Sequence, residues 1–567
     1  MGILRLFRYL SKKYPSMLKR SFRERRDGTL PENSYKHTAE WTLIDLNAIF
    51  HPCCQRVFEY GEGEKKKSLF WSQKKQTMTY AELEQMAFRM IHKKIEEIIQ
   101  QTNPTKGVYL AVDGVPGMCK QAQQRQRRFK SALSAKDSEI PAEMLRLKYY
   151  GFDPNGITTG TDFMARLCKS IFHFVKYYKR NNKSLRIIYS DMTIPGEGEH
   201  KLMRFLEERG NTHIDSITIV SPDADMIMLG LISPTKKVHV YRENIFKDEE
   251  GDYFFVDLRE LKGCLLKDLY FISMTQTFDK EYAIRDYVLF SFMIGNDFLP
   301  NINSLEITNQ GYDILYDLYT KTVSSHGHLV YYKCNKWCIN EVSFIGLLKE
   351  LADIEIKMII DKVEKKYNKY PDRLLQKYID REHHTGLRFD YKGYRDEYYS
   401  RKLDVVSDDK ELRDGEIDMI CTEYIKGMVF VMRYYFTGIP SFSWFYPWHY
   451  APLLSDLYHT ASRLDFSTLT FEPHLPLSMC ESLVGILPPS SWGLLPSGIR
   501  EQLQPKIRMD PDFLEDFEID LDGKQQEYEG ICLLPFVTYH KLKKMFSNVK
   551  MTEEEIEKNK MGSLYKF

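Results

Sequence analysis

Seven acidic residues stand in five short motifs within the first 300 positions: Asp45 in IDLNAIFH, Asp113 in LAVDGVPG, Glu197 and Glu199 in IPGEGEHK, Asp223 and Asp225 in SPDADMIMLG, and Asp297 in GNDFLP. Nearly every motif follows an apolar run that reads as a strand. A carboxylate at the end of a buried strand is costly unless positive charge neutralises it, and seven converging would repel strongly. Divalent cations that favour hard oxygen donors, Mg²⁺ or Mn²⁺, answer that requirement. Two such ions, roughly 3.5–4 Å apart, form the clamp used for in-line attack on phosphodiesters. A single Asp after a strand is often only a helix N-cap. Seven such residues are not explained that way.

The elements that must position these acids alternate. WTLIDL, GVYLAVDG, SLRIIYSD, SITIVSPD and KVHVYREN read as short strands, with helical stretches at 79–101, 117–149, 161–180 and 197–209 between them. Strands separated by helices predict an α/β fold with a mostly parallel central sheet flanked by helices. Ligands of such sheets gather beyond the carboxyl ends of the strands, where Asp45, Asp113, Asp191 and Asp223 fall. The chain divides by pattern into 1–320, carrying the acidic site; 321–416, helical and linker-like; 417–545, a mixed helical and irregular C-terminal block expected to close the active site; and a charged tail, 546–567, expected to fray. Residues 381–416, rich in charge and poor in aliphatics, read as an exposed connection or a loosely packed insertion. The opening MGILRLFRYLSKKYP reads as a folded helix rather than a signal peptide.

After Asp113 no acid occurs until Asp137, while six basic residues do. Lys120, Gln124, Arg127 and Arg128 stand at i, i+4, i+7 and i+8 and share one helix face. One ammonium, one amide and two guanidiniums there would grip a terminal phosphate, since Arg binds phosphate bidentately. That would place the next phosphodiester over the metals. A basic run alone is usually a solvated face; adjacency to the carboxylates favours the pocket.

At this point the motifs resemble a known family. IDLNAIFH, DGVPGMCKQAQQRQRRF, ITTGTDFM, IPGEGEHKLM, SPDADMIMLGL and GNDFLP, together with EYIKGMVFVMRYYFTGIPSFSWFYPWHYAP and DGKQQEYEGICLLPF, are similar in order and spacing to motifs of the XRN family of 5′-to-3′ exoribonucleases. The likeness runs through residues 1–545. It implies a Mg²⁺-dependent, processive enzyme that degrades single-stranded RNA bearing a 5′-monophosphate to mononucleotides. It makes Asp45, Asp113, Glu197, Glu199, Asp223, Asp225 and Asp297 the metal ligands and catalytic set. Lys120, Gln124, Arg127 and Arg128 become the phosphate pocket. His51 would stack on the 5′ base, opposite either Phe442, where the family usually has Trp, or Trp444. The chain departs from the family at Asn301, where a His is usual, at Leu4-Arg5, and between the anchors of DGVPGMCK; no metal ligand is lost.

Two Mg²⁺ ions are expected, with Mn²⁺ as a substitute. The other expectations are a monomer in the cytoplasm, no membrane association, and a decapping enzyme upstream as the supplier of monophosphate ends. Two competing readings remain: a 5′ nuclease acting on DNA or flap structures, and a catalytically inactive binder of 5′-monophosphate RNA. Composition fits a soluble protein of 567 residues, 43% apolar and 28% charged, and a net charge of +1 argues against bulk nonspecific affinity for nucleic acid. Ten cysteines without a CxxC pair fit a reducing compartment. His326, His328, Cys334 and Cys338 have metal-ligand types, but KCNKWC reads as a hairpin and structural zinc uses shorter Cys spacing. Zinc is therefore set aside.

Overall fold

A computed structural model describes residue 3 and residues 5–23, 31–60, 77–136, 150–208, 214–244, 251–307, 310–365, 369–380, 387–508 and 510–567. The C-terminal part of the helical stretch read at 137–149 lies outside them. The chain forms two compact units and passes between them repeatedly. One holds residues 16–259, 474–515 and 535–567; the other holds residues 1–15, 260–473 and 516–534.

The first unit is built on an eight-stranded sheet. Its strands are β1 (Leu18–Ser21), β2 (Ala39–Asp45), β3 (Pro104–Ala111), β4 (Arg186–Ser190), β5 (Ser216–Val220), β6 (Lys237–Glu243), β7 (Tyr253–Asp257) and β8 (Tyr565–Lys566), in the order β1-β7-β6-β5-β2-β3-β4-β8. The five central strands are parallel and the edges antiparallel. All five strands read from the sequence are present. Flanking helices are α1 (Asn47–Phe58), α2 (Tyr80–Thr102), α3 (Met118–Lys136), α4 (Asp162–Asn181), α5 (Gly198–Glu208) and α6 (Asp225–Ile232). Two of them begin at side-chain caps. Thr79 and Glu82 form a capping box for α2, and the Thr161 hydroxyl accepts from the Met164 amide at the start of α4.

The registers align the strand ends. Asp45 pairs with Ala111, Ala111 with Ser190, and Ile44 with Val220. The ladder runs on past the strands, with Leu46 N–H to Ala111 O and Val112 N–H to Ser190 O, each 2.8 Å. Chain segments leaving four neighbouring strands thus emerge side by side on one edge of the sheet.

The second unit is mainly helical, with long helices at Gly311–His326, Glu341–Lys365 and Lys410–Thr437. The N-terminal helix forms at Leu6–Lys13, and Tyr9 stacks on Tyr312 at 4.9 Å. The expected hairpin forms at Val330–Lys333 and Lys336–Ile339. His328 has both ring nitrogens engaged, Nδ1 with Asp286 at 2.6 Å and Nε2 accepting the Asp279 amide at 2.9 Å. It is a structural histidine. Asp286 also accepts from Tyr319 and from the Val330 amide, so this acid anchors the hairpin.

Two readings need correction. Residues 391–403 are a helix, not an exposed connection: Tyr394, Tyr398 and Tyr399 are buried, so tyrosines do the packing that aliphatics usually do. Nor does the tail fray. Residues 553–558 are helical, and β8 pairs with β4 through Tyr565 opposite Tyr189 and Lys566 opposite Ile188. Phe172 packs edge-on against Tyr565 at 4.9 Å, and these rings offset the ordering entropy that a charged composition alone could not. Among the described residues no helix is long and apolar enough to cross a membrane.

Deleting residues 561–567 is expected to lower the melting temperature by roughly 2–6 °C in calorimetry. It should also strip hydrogen-exchange protection from the Ile187 amide, which donates to Phe567 O. Unchanged protection at Ile187 would contradict the pairing.

Candidate active site

Six of the seven acids lie in the sheet unit. Asp45 ends β2, and Asp113 follows β3 by two residues. Glu197 and Glu199 straddle the start of α5, and Asp223 and Asp225 lead into α6. Each pair sits at a helix start, where the dipole favours negative charge. Asp45, Glu197, Glu199 and Asp225 are buried. Asp297 lies in the helical unit and is also buried. There the Asn296 carboxamide oxygen caps the loop by accepting the Phe298 and Leu299 amides, both at 2.8 Å.

Glycines allow the close approach. A Cβ on Gly198 would stand 3.0 Å from Asp45 Oδ1 and 3.3 Å from Asp113 Oδ1. The Gly198 amide donates to Asp113 Oδ1 at 2.7 Å. The two loops holding Asp113 and Glu197 are zipped together: Gly114 N–H donates to Gly196 O at 2.8 Å, and Gly196 N–H to Val115 O at 2.9 Å. At Gly114 a Cβ would fall 1.8 Å from Ile194 O, and Gly196 has φ +96°.

The electrostatics follow. Burial first, and then the charges of Asp113 and Asp223, hold the Asp45 pKa well above the ordinary carboxylate range. Burial raises Asp113 against the Gly198 amide and Lys120, and it pushes Glu199 well up. Lys120 pairs with Glu197 at 2.6 Å. Lys201 donates to Val112 O at 2.6 Å and Asp191 O at 2.9 Å, tying the ends of β3 and β4; burial pulls its pKa down to about 8.

The helix expected to bind phosphate is α3. Lys120 stands at its site end, Arg127 is exposed, and Arg128 is half-buried with Nη1 donating to Asn155 Oδ1 at 3.4 Å. Burial, and then Arg127, draw the Arg128 pKa down to about 10. Gln124 is half-buried on the same helix. His51 is open to solvent, yet enough protein surrounds it that desolvation, followed by Arg128 and Arg127, lowers its pKa to about 4. His51 is thus a neutral ring at neutral pH beside the two guanidiniums. Arg125 is buried and structural, donating to Gly485 O at 2.9 Å and to Asp512 O, with its guanidinium over Phe129.

Phe442 and Trp444 lie in the helical unit. Trp444 is spent on packing: Nε1 donates to Glu423 at 3.1 Å and the indole lies 4.5 Å from the Phe430 ring. Phe442 is half-buried, with no ring contact among the described residues.

The sequence reading missed three positioning groups. The Asn47 side chain donates to Asp113 Oδ2 at 2.9 Å and accepts the Asp113 amide, while its own amide donates to Asp45 Oδ1. The Thr159 hydroxyl donates to Asp113 O at 2.7 Å. Lys201 is the third. Asn47 two residues after Asp45, and Lys201 two after Glu199, were the available signals. Asp191 caps its own turn through the Thr193 amide.

This arrangement has known counterparts. The model of the XRN 5′-3′ exonuclease N-terminus matches residues 1–244, and that of the Xrn1 helical domain matches residues 277–343 and 346–565. The chain belongs to the XRN family. It is 26% identical to a 5′-3′ exoribonuclease 2 homolog of Drosophila melanogaster, over all of this chain and 73% of that protein. It is 28% identical to a human 5′-3′ exoribonuclease 1, over 99% of this chain and 35% of that protein. Among solved structures, the catalytic core of Rad2 in complex with a DNA substrate aligns over 65% of this chain and 83% of that one, at 11% identity and a TM-score of 0.31.

Two outcomes follow from the site's construction. Gly114→Ala should lower the yield of folded protein sharply and cost over about 3 kcal/mol in chemical denaturation, because the neighbour is backbone and cannot yield. Asp45→Asn should raise the melting temperature in EDTA by roughly 1–3 °C at pH 7.5. The sign follows from the raised pKa: folding disfavours the ionised carboxylate, so removing its charge stabilises. A lower melting temperature would show that Asp45 is not under strain from its neighbours.

Proposed function

We propose that the chain is a processive 5′-to-3′ exoribonuclease that requires Mg²⁺ and a 5′-monophosphate on single-stranded RNA. The observation that carries the reading is that one unit holds both halves of the chemistry. Six acids sit at aligned strand and helix ends, and α3 runs from Lys120, bonded to Glu197, to Arg127 and Arg128 beside His51.

The donor set fits hard divalent ions, being all carboxylate, largely buried and under mutual repulsion that only added positive charge relieves. Asp45, Asp113, Glu197, Glu199, Asp223 and Asp225, all in the sheet unit, would hold them. Bound there, the ions would acidify a water and offset charge on the leaving 3′-oxygen.

The chain's own residues do the rest. Arg127 and Arg128 grip the terminal phosphate, and Gln124 donates an amide to it. A capped or triphosphorylated end carries bulk and charge this short helix face does not match. Neutral His51 stacks on the first base without adding charge to a site already lined by guanidiniums. Of the two candidate rings in the helical unit, Trp444 is committed to Glu423 and Phe430. Base stacking of this kind contributes about 1–3 kcal/mol and is indifferent to sequence. Asn47 and Lys201 fix the carboxylates so that little reorganisation is needed during reaction. In this reading the protein works as a monomer in a reducing compartment, the cytoplasm, where its ten free thiols stay reduced, downstream of a decapping enzyme.

The test uses 3′-labelled RNA with either a 5′-monophosphate or a 5′-triphosphate, in Mg²⁺. The monophosphate substrate should decay to mononucleotides at least about 10-fold faster, a ratio that Arg127→Ala should erode. Asp223→Ala should abolish cleavage and leave RNA binding intact. Equal decay of the two substrates would sink the phosphate pocket, and internal fragments would mark an endonuclease.

A further inference from the structure

Between Asp162 and Asp191 lie 28 residues with seven Lys or Arg and no acid. The chain's overall share, 79 acids in 567 residues, would place about four in such a stretch. Most of it is α4. The apolar face of α4 is buried through Leu167, Ile171, Phe174 and Val175. The opposite face carries Lys169, His173, Lys176 and Arg180, at i, i+4, i+7 and i+11, all exposed. Those spacings form a single stripe about 16 Å long. Lys183 and Arg186 extend it, exposed, to the start of β4.

The nearby charges separate this face from an ordinary salt-bridged surface. Arg166 is taken by Glu84, both bonds at 2.7 Å, and Lys179 folds back on Lys183 O and Leu185 O. Asp162 is paired with Lys558. Among the described residues, Lys169, Lys176, Arg180, Lys183 and Arg186 have no carboxylate partner. Glu96, beside Tyr178, is the acid on the flank. Aromatic rings interleave: Tyr177 is 63% exposed, and Lys176 stands 4.6 Å over Phe172, whose edge meets Tyr565.

The helix also points somewhere useful. It begins three residues after Thr159, whose hydroxyl holds the Asp113 carbonyl, and it is about 30 Å long. A chain of net charge +1 has concentrated unneutralised cations on one path leading off its acidic site.

We propose that the exposed face of α4 is a second RNA-binding surface, gripping the phosphate backbone of the substrate beyond the nucleotides held at the site. The contacts are to phosphate, so binding here is independent of sequence and steeply salt-dependent. This rests on RNA being the substrate. It adds a length dependence that the site alone does not supply.

The test is the triple variant K169E/K176E/R180E, none of whose residues belongs to the catalytic or 5′-phosphate machinery. Anisotropy in EDTA, with 3′-labelled 5′-monophosphate RNAs of about 6 and about 40 nucleotides, reads binding without cleavage. The variant should bind the long RNA at least about 10-fold more weakly at 0.1 M salt, with a log-log salt slope shallower by about 2, as expected for three lost contacts to a single strand. Its affinity for the short RNA and its rate on that RNA in Mg²⁺ should match the parent, as should its circular dichroism. Unchanged affinity and slope on the long RNA would overturn the proposal, and so would equal weakening on both lengths. Capture by phosphatidylserine vesicles that the variant loses, with RNA binding intact, would overturn it in favour of a membrane. Failure of the parent to cut either RNA would instead count against the site, because anisotropy in EDTA still reads the stripe.

Discussion

Like-charge crowding at the carboxyl edge of the sheet is the constraint on which the rest of the structure depends. Asp45 Oδ1 and Asp113 Oδ1 both face Gly198, within about 6 Å of one another. At an effective dielectric of about 20, two unit charges at that range repel by about 3 kcal/mol. Asp223 and Glu197 add to the load on Asp45. The parallel ladder holds the strand ends in register whatever the side chains prefer, and the strain is pushed into raised carboxyl pKa values. Lys120 and Lys201 relieve only part of it. One bridges a carboxylate; the other is occupied by two backbone carbonyls and lends its charge at a distance.

The loops show how so much charge is kept in place. Gly114, Gly196 and Gly198 let two turns approach until backbone touches backbone. Asn47 then locks Asp113 from the other side with a two-way amide bond. These are neutral groups. They orient carboxylates without cancelling their charge, which leaves that charge available to a ligand. A site built to be stable by itself would have used arginines here, whereas Arg127 and Arg128 stand on α3 beside His51.

Much of this was legible in the chain. Strand ends announced themselves because buried parallel strands are continuous apolar runs and the acids follow at once. The basic helix α3 was readable because acid-free stretches are rare in a chain that is 28% charged. What escaped reading had no periodic signature. Asn47, Thr159 and Lys201 act through single hydrogen bonds between distant segments. The helix at Tyr391–Leu403 was hidden because its buried residues are tyrosines, which hydropathy scores as half polar. The tail was hidden because two residues of edge pairing, with aromatic support from Phe172, order a segment that composition marks as solvated. The bond from Trp444 to Glu423 is likewise contained in no local pattern.

The two acid-free segments, 114–136 and 163–190, divide the positive charge by function. On α3 the cations are near acids and partly buried, so desolvation makes each contact strong and selective in geometry, at the cost of lowered pKa values such as that of Arg128. On α4 they are exposed and separate, so each is individually weak and screened by salt. The proposed exoribonuclease, holding one end while the strand advances by one nucleotide at a time, would need both kinds. A strong grip repeated along the strand would stall it, and weak contacts alone would lose it after each cut. Because six of the acids and the two basic helices belong to the same sheet unit, the short connection from Thr159 to α4 would be enough to join the proposed tight grip to the proposed loose one.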